Sequence, residues 1–383
     1  MKIGVNAVFL EPGMGGLETY VREVVPRLAA LAPDGTRVTV ICNERGYEFL
    51  AGQPWAGEVD LVVPKFVTRS GFRAATELTI LGAWASRHCN VLLSPALTAP
   101  LSTRAANVVL LADVTWILFP DLGDGDGITP RIWRAVVPAV ARRADRVIAL
   151  TEVGAGELVD HFGLDPGRID VIGLGFDAER APLATEEAEL RARLGLGDGP
   201  VVLNVGAKKV HKNQVALVEA VGLLRDKGED VDLVLPGAPT EYDTQIRRAA
   251  SAFGVEGQVF LPGFVEAGEL EGLYLLASCL AFPSLNEGFG LPLLEAMARD
   301  LPVVCSDTSV LPEVVGDAAM LVDPKSPESI ANGISKVLGD AALRERLVEA
   351  GRKRIKSFTW DAVASLTLDS LVRAIGQKAG ERR

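Results

Sequence analysis

Short, densely apolar runs alternate along this chain with longer stretches in which apolar side chains recur every three or four positions. The first pattern predicts buried strands and the second amphipathic helices. Lys2 to Val8 reads as a buried strand, Glu11 to Gly16 as a glycine-bearing loop, and Leu17 to Leu31 as a helix with one apolar face. Further strands are predicted at Arg37 to Cys42, Val59 to Val63, Val91 to Leu93, Val108 to Leu111, Arg146 to Leu150 and Ile169 to Ile172, with helical patterns between most of them. Such alternation implies a doubly wound parallel sheet. Charged, alanine-rich residues 178 to 199 follow, and Pro200 to Val205 opens a second sheet. That sheet continues through Val231 to Leu235, Val259 to Leu261, Cys279 to Phe282, Val303 to Cys305 and Met320 to Val322. The linker between the two sets is placed near 174 to 180. Phe358-Thr359-Trp360 introduces a last amphipathic helix running to about Ile375.

A length of 383 residues suits two such domains, each burying its own core. The formal charge of −11 argues against general attraction to nucleic acid or anionic membrane, so any phosphate must be held by a local basic cluster. No apolar run reaches membrane-spanning length and no signal-peptide pattern precedes the first strand, so a cytoplasmic protein with at most peripheral membrane contact is expected. Cys42, Cys89, Cys279 and Cys305 are far apart and mostly in apolar runs, which favours buried thiols over a metal site or disulfides. His88, His161 and His211 show no metal-ligand spacing, and no metal is expected.

The densest chemistry lies in Ala281-Phe282-Pro283-Ser284-Leu285-Asn286-Glu287-Gly288-Phe289-Gly290-Leu291-Pro292-Leu293-Leu294-Glu295-Ala296-Met297-Ala298. An apolar strand ends in a glycine loop, and Pro292 suits the first turn of a helix because its missing N–H costs nothing there. With a helix starting near Leu291, its free N–H groups and the backbone of Gly288 and Gly290 point at one spot, suited to an anionic or hydroxyl-rich ligand. Glu287 in the loop and Glu295 one turn into the helix supply carboxylate acceptors for sugar-type hydroxyls. Gly206-Ala207-Lys208-Lys209-Val210-His211-Lys212-Asn213 joins another strand to a helix and concentrates three lysines where a packing role is not expected. This cluster suits a diphosphate. Asp113 ends the Val108 to Leu111 strand, where it either faces the same sheet edge as Gly15 and Gly16 or caps the following turn; a plain tight turn equally accounts for the two glycines. Asp121 to Gly127 contains a D-x-D string that reads as a glycine loop, and Arg131 to Arg146 reads as a packing helix carrying Trp133 and five arginines.

The string from Glu287 to Ala298, continued by Leu301-Pro302-Val303-Val304 and Pro312-Glu313, resembles the E-x7-E segment of the family 4 retaining glycosyltransferases. The resemblance implies the GT-B fold, two Rossmann-like doubly wound α/β domains facing across a cleft. It places an acceptor-side domain at 1–175, completed by a helix at 359–383, and a donor-binding domain at 176–358. It implies transfer of a sugar from a nucleoside-diphosphate sugar, most readily a UDP- or GDP-sugar, to the hydroxyl of a glycan, a lipid-linked saccharide or a small natural product, without a metal. By position, the resemblance assigns the diphosphate to Lys212, Gly15, Gly16 and Lys208 or Lys209. It assigns sugar contacts to Glu287, Gly288, Phe289, Gly290 and Leu291, the ribose to Glu295, and the base to the backbone of Phe264 and Val265. Asp113 follows Ala112, which stands where the family has histidine, and Ala207 replaces a phosphate-binding arginine. These departures leave room for a non-catalytic nucleotide-sugar-binding relative, and a sugar-nucleotide epimerase of the same fold is the other alternative.

Overall fold

The computed structural model describes residues 1–67, 73–119, 128–177 and 182–380, with side chains of 128–132 excepted. The D-x-D loop lies outside the described residues. The chain divides into two compact units, one formed by Met1–Gly175 with Phe358–Arg383 and the other by Phe176–Ser357.

Among the described residues, the first unit is built on seven strands, β1 (Lys2–Ala7), β2 (Arg37–Cys42), β3 (Asp60–Val62), β4 (Val91–Ser94), β5 (Ala106–Leu111), β6 (Arg146–Ala149) and β7 (Ile169–Val171). They lie in the order β3-β2-β1-β4-β5-β6-β7, and every neighbouring pair is parallel. β4, β5 and β6 are buried throughout, as a sheet covered on both faces requires. The order reverses between β1 and β4, the place in such sheets where ligands meet the carboxyl ends of strands.

The helix Trp360–Gly380 belongs to this unit. It packs along the helix Gly16–Leu31, where Tyr20 and Thr367 share a hydroxyl hydrogen bond of 3.2 Å and Arg27 donates to Asp361 at 2.7 Å. Further along, Arg146 of β6 forks onto Asp170 of β7 at 2.5 and 2.6 Å, and Ser370 donates to the same carboxylate at 2.5 Å. The arginine-rich helix therefore ends sooner than its pattern suggests, at Arg143. Asp145 interrupts it by accepting the Asn107 N–H at 2.7 Å, which starts β6 at Arg146 and turns that arginine inward.

The second unit holds β8 (Val201–Leu203), β9 (Asp232–Pro236), β10 (Val259–Gly263), β11 (Cys279–Phe282), β12 (Val303–Ser306) and β13 (Ala319–Val322). Their order is β10-β9-β8-β11-β12-β13, again parallel throughout, and it reverses between β8 and β11. The helices Gln214–Asp226 and Pro327–Gly339 close the core over Val202, Leu233, Ala281 and Val304 with Leu217, Val221, Ile330 and Ile334. Each such fully buried aliphatic side chain contributes about 1.5–3 kcal/mol relative to exposure. The rigid result fixes where the loops after β8 and β11 begin.

Candidate functional site

Val202 lies opposite Cys279 and Leu203 opposite Leu280, so the loops that leave β8 and β11 emerge side by side. Several bonds join them. Asn204 donates to the Ala281 carbonyl at 2.8 Å, the Leu285 N–H to the His211 carbonyl at 2.7 Å, and Asn213 to the Pro283 carbonyl at 3.0 Å. Asn213 takes a left-handed φ of 61°, which brings the short turn Val210–Lys212 back over the loop after β11. Lys212 thereby reaches Glu287 across 75 residues of sequence, its Nζ 2.6 and 2.7 Å from the two carboxylate oxygens. The ammonium also lies 5.3 Å from the Phe282 ring centre. Taking both charges out of water is costly, and their mutual attraction with bidentate geometry offsets that cost.

A third loop braces this pair. Ser309, with φ 58°, accepts the Glu287 N–H at 3.2 Å, and Ser306 donates to the Ser284 carbonyl at 2.6 Å. Gly290 precedes the helix Leu291–Met297 with φ 99°, and a Cβ there would stand 3.0 Å from Leu293 and 3.2 Å from Leu311. Packing as well as backbone conformation therefore demands glycine at this position. The helix has seven residues, and the formal positive charge bonded to the loop before it is that of Lys212.

On that helix Glu295 accepts from the Tyr274 hydroxyl at 2.5 Å, and its other oxygen has no hydrogen-bond partner among the described residues. Arg299, one turn on, forks onto Glu271, donates to the Glu295 carbonyl at 2.8 Å and lies 5.0 Å from the Tyr274 ring centre. Burial pushes the Glu295 carboxyl above the usual carboxylate range, while the Tyr274 hydroxyl and the Arg299 charge pull the other way. Burial and the adjoining Glu295 charge raise the Tyr274 phenol well above its ordinary value, so it remains a donor.

Lys208 differs from expectation. It is 1% exposed and donates to the Gly237 carbonyl at 2.6 Å, so it has the packing role that the sequence argued against. Its stem fills space between the loops after β8 and β9, and the carbonyl satisfies its ammonium; burial lowers its pKa. Lys209 is half-buried. Burial, then the charges of Lys212 and Lys209, push the His211 imidazole down to about 4, leaving it neutral at pH 7. Phe264 is 73% exposed just after β10, and it lines a hollow of about 420 Å³ together with Val265, Arg193 and Arg247.

In the first unit Gly15 adopts φ 70° and ψ −130°, a backbone open chiefly to glycine, at the start of the helix Gly16–Leu31. Both glycines follow β1, beside the reversal point of that sheet. Asp113 follows β5 and caps the Thr115 N–H at 2.8 Å; its second oxygen has no hydrogen-bond partner among the described residues. Capping thus occupies one oxygen and leaves the other open.

Residues 186–354 match the family described as glycosyl transferases group 1, and residues 14–180 match glycosyltransferase family 4. The chain belongs to the family 4, group 1 glycosyltransferases. The D-inositol 3-phosphate glycosyltransferase of Salinispora arenicola is 34% identical over 280 residues, 68% of this chain and 62% of that protein. O-antigen chain mannosyltransferase B of Escherichia coli is 29% identical over 229 residues, 59% of this chain and 60% of that one. The match thus spans about three fifths of these relatives' length. Two solved structures share the fold. Sucrose-phosphate synthase from Thermosynechococcus elongatus, 21% identical, superposes with a TM-score of 0.74 over 97% of this chain and 98% of its own. Anabaena HepE, solved with UDP and glucose, is 21% identical with a TM-score of 0.75 over 97% of this chain and 100% of its own. The fold of this group 1 glycosyltransferase is accordingly GT-B, with two Rossmann-like units. Its site also contains residues the sequence reading passed over, namely Tyr274, Ser309, Asn213 and Arg299. Strand order gives the missing signal: β8 and β11 flank a reversal, so whatever follows them in sequence meets in space.

Proposed function

We propose that this glycosyltransferase moves a sugar from a nucleoside-diphosphate sugar to an acceptor hydroxyl with retention of anomeric configuration. The observation that carries the reading is the Lys212–Glu287 pair at the reversal point between β8 and β11. A cation and a carboxylate held side by side match the two ends of such a donor, phosphate oxygens for the ammonium and sugar hydroxyls for the carboxylate. The backbone N–H groups of Gly288, Phe289, Gly290 and Leu291 complete the contacts to the sugar and its phosphates. The open oxygen of Glu295 accepts from the ribose, and the backbone at Phe264 and Val265 receives the base. On the first unit by itself, the backbone at Gly15 and Gly16 is open to the close approach of an anionic or hydroxyl group. Lys208 serves this site as a strut and Lys209 is the lysine left for a second phosphate contact. UDP in the HepE complex supports a uridine donor, and the choice between UDP- and GDP-sugars follows from titration.

The chemical step breaks the anomeric C–O bond towards an oxocarbenium-like state while negative charge grows on the leaving diphosphate. Lys212 stabilises that charge where it develops; deleting one preorganised donor of this kind costs about 2.7–4 kcal/mol. The acceptor hydroxyl attacks the face from which the diphosphate departs and passes its proton to a phosphate oxygen, so no dedicated base is required and Ala112 is tolerated. On the first unit, the open oxygen of Asp113 is a hydrogen-bond acceptor for a hydroxyl of the acceptor substrate. No metal takes part.

The test is incubation of the protein with UDP- and GDP-sugars and a panel of saccharide, lipid-linked and small hydroxyl acceptors, followed by NMR of the product. Diphosphate release that depends on acceptor, with the donor's anomeric configuration kept, is the expected result. An inverted product overturns retention, conversion of donor without acceptor indicates an epimerase, and binding without turnover indicates a non-catalytic relative.

A further inference from the structure

Glu271 and Tyr274 stand one turn apart on the helix Ala267–Leu276, and Glu295 and Arg299 stand one turn apart on Leu291–Met297 and its continuation. The two pairs interlock. Tyr274, 2% exposed, spends its only polar atom on one oxygen of Glu295 at 2.5 Å. Arg299 covers the Tyr274 ring at 5.0 Å, reaches the Phe176 ring at 5.8 Å and is held by Glu271 through two contacts of 2.9 Å from Nε. A half-buried carboxylate free to rotate would offer either oxygen in many directions. This one cannot turn without breaking a charge-assisted bond to a phenol that packing has fixed.

We propose that Tyr274 is the positioning residue for Glu295, fixing one carboxylate oxygen so that the other meets the ribose hydroxyls of the donor, with Arg299 and Glu271 holding the Tyr274 ring in place. The inference rests on the reading of Glu295 as the ribose-binding group and adds a residue that acts only through it. Removing the phenol oxygen leaves the ring packing intact but frees the carboxylate, so ribose recognition should be lost in a protein that melts somewhat lower but still folds.

The experiment titrates UDP, GDP and their 2′-deoxy and 3′-deoxy counterparts calorimetrically into the wild-type protein and Tyr274→Phe. In the wild type, loss of one ribose hydroxyl is expected to weaken binding roughly tenfold, the value of a hydrogen bond to a charged group. In Tyr274→Phe that penalty should shrink below about threefold while circular dichroism shows the variant still folded at the titration temperature. Wild-type discrimination that survives in Tyr274→Phe overturns the positioning role and leaves the Glu295 assignment standing. A wild type indifferent to the ribose hydroxyls, or binding neither diphosphate, overturns the Glu295 assignment and the inference with it. Should Tyr274→Phe not fold, Arg299→Lys, which loses the fork onto Glu271, must also narrow the discrimination; undiminished discrimination there overturns the proposal.

Discussion

At the scale of single residues, the proposed chemistry turns on Lys212 and its partner Glu287. Lys212→Ala is expected to lower turnover by two or more orders of magnitude in a steady-state assay, consistent with about 2.7–4 kcal/mol for one donor at a developing charge. Because the change leaves Glu287 largely buried without its cation, the same variant should melt lower, and a circular dichroism scan must show it still folded at the assay temperature. His211 gives a pH prediction at the same turn. Its pKa is about 4 in the folded chain, below the ordinary value of 6.5, so the folded state binds fewer protons than the unfolded one across that interval. The stability it contributes is present above about 6.5 and is lost as pH falls towards 4. Denaturant titrations of His211→Gln against wild type should show the variant losing less stability over that window; parallel curves would contradict the burial argument. Which lysine of this loop turns inward was only partly legible from sequence. Lys208, Lys209 and Lys212 share one polar string, and only the approach of Gly237 to that loop decides that Lys208 turns inward.

At the scale of elements, strands were the most readable feature, because a parallel sheet covered on both faces demands unbroken apolar runs such as Val108 to Leu111 and Cys279 to Phe282. Helix ends were less so. The Arg131 to Arg146 pattern ran past its true end because Asp145 breaks the helix through a bond to Asn107, a partner distant in sequence. The last helix likewise continues beyond Ile375 to Gly380, with Lys378 bonded to Asp145 at 3.1 Å. Its docking depends on two features that can be tested. At Gly175 a Cβ would lie 2.6 Å from the Trp360 backbone nitrogen, so Gly175→Ala should destabilise the first unit by roughly 1–3 kcal/mol through overpacking, read in urea titration. At Asp170, burial works to raise the carboxyl, but Arg146, Ser370 and Arg373 outweigh it and hold the group below its ordinary range. Its contribution is therefore present above the unfolded carboxylate pKa and is lost as pH falls through the lower folded value. Asp170→Asn should cost about 3 kcal/mol at pH 7 and less in acid, since it strands Arg146 in a buried position.

At the scale of the whole molecule, the chain carries a net charge of −11, and the loop after β8 sets Lys208, Lys209 and Lys212 within five residues of one another. In the second unit the sheet order reverses between β8 and β11, so the loops that follow these strands, one carrying Lys212 and the other Glu287, leave it side by side. The pairing of Lys212 with Glu287 was not legible, because it depends on β8 and β11 being neighbours across the intervening β9 and β10. The measurement that bears most directly on the account is calorimetric titration of UDP-glucose and GDP-mannose into the wild-type protein and into folded Lys212→Ala. The account predicts that one of the two nucleotide sugars binds the wild type and binds the variant at least tenfold more weakly, the equivalent of about 1.4 kcal/mol. Equal affinity in both proteins, or no binding of either nucleotide sugar to the wild type, would contradict it.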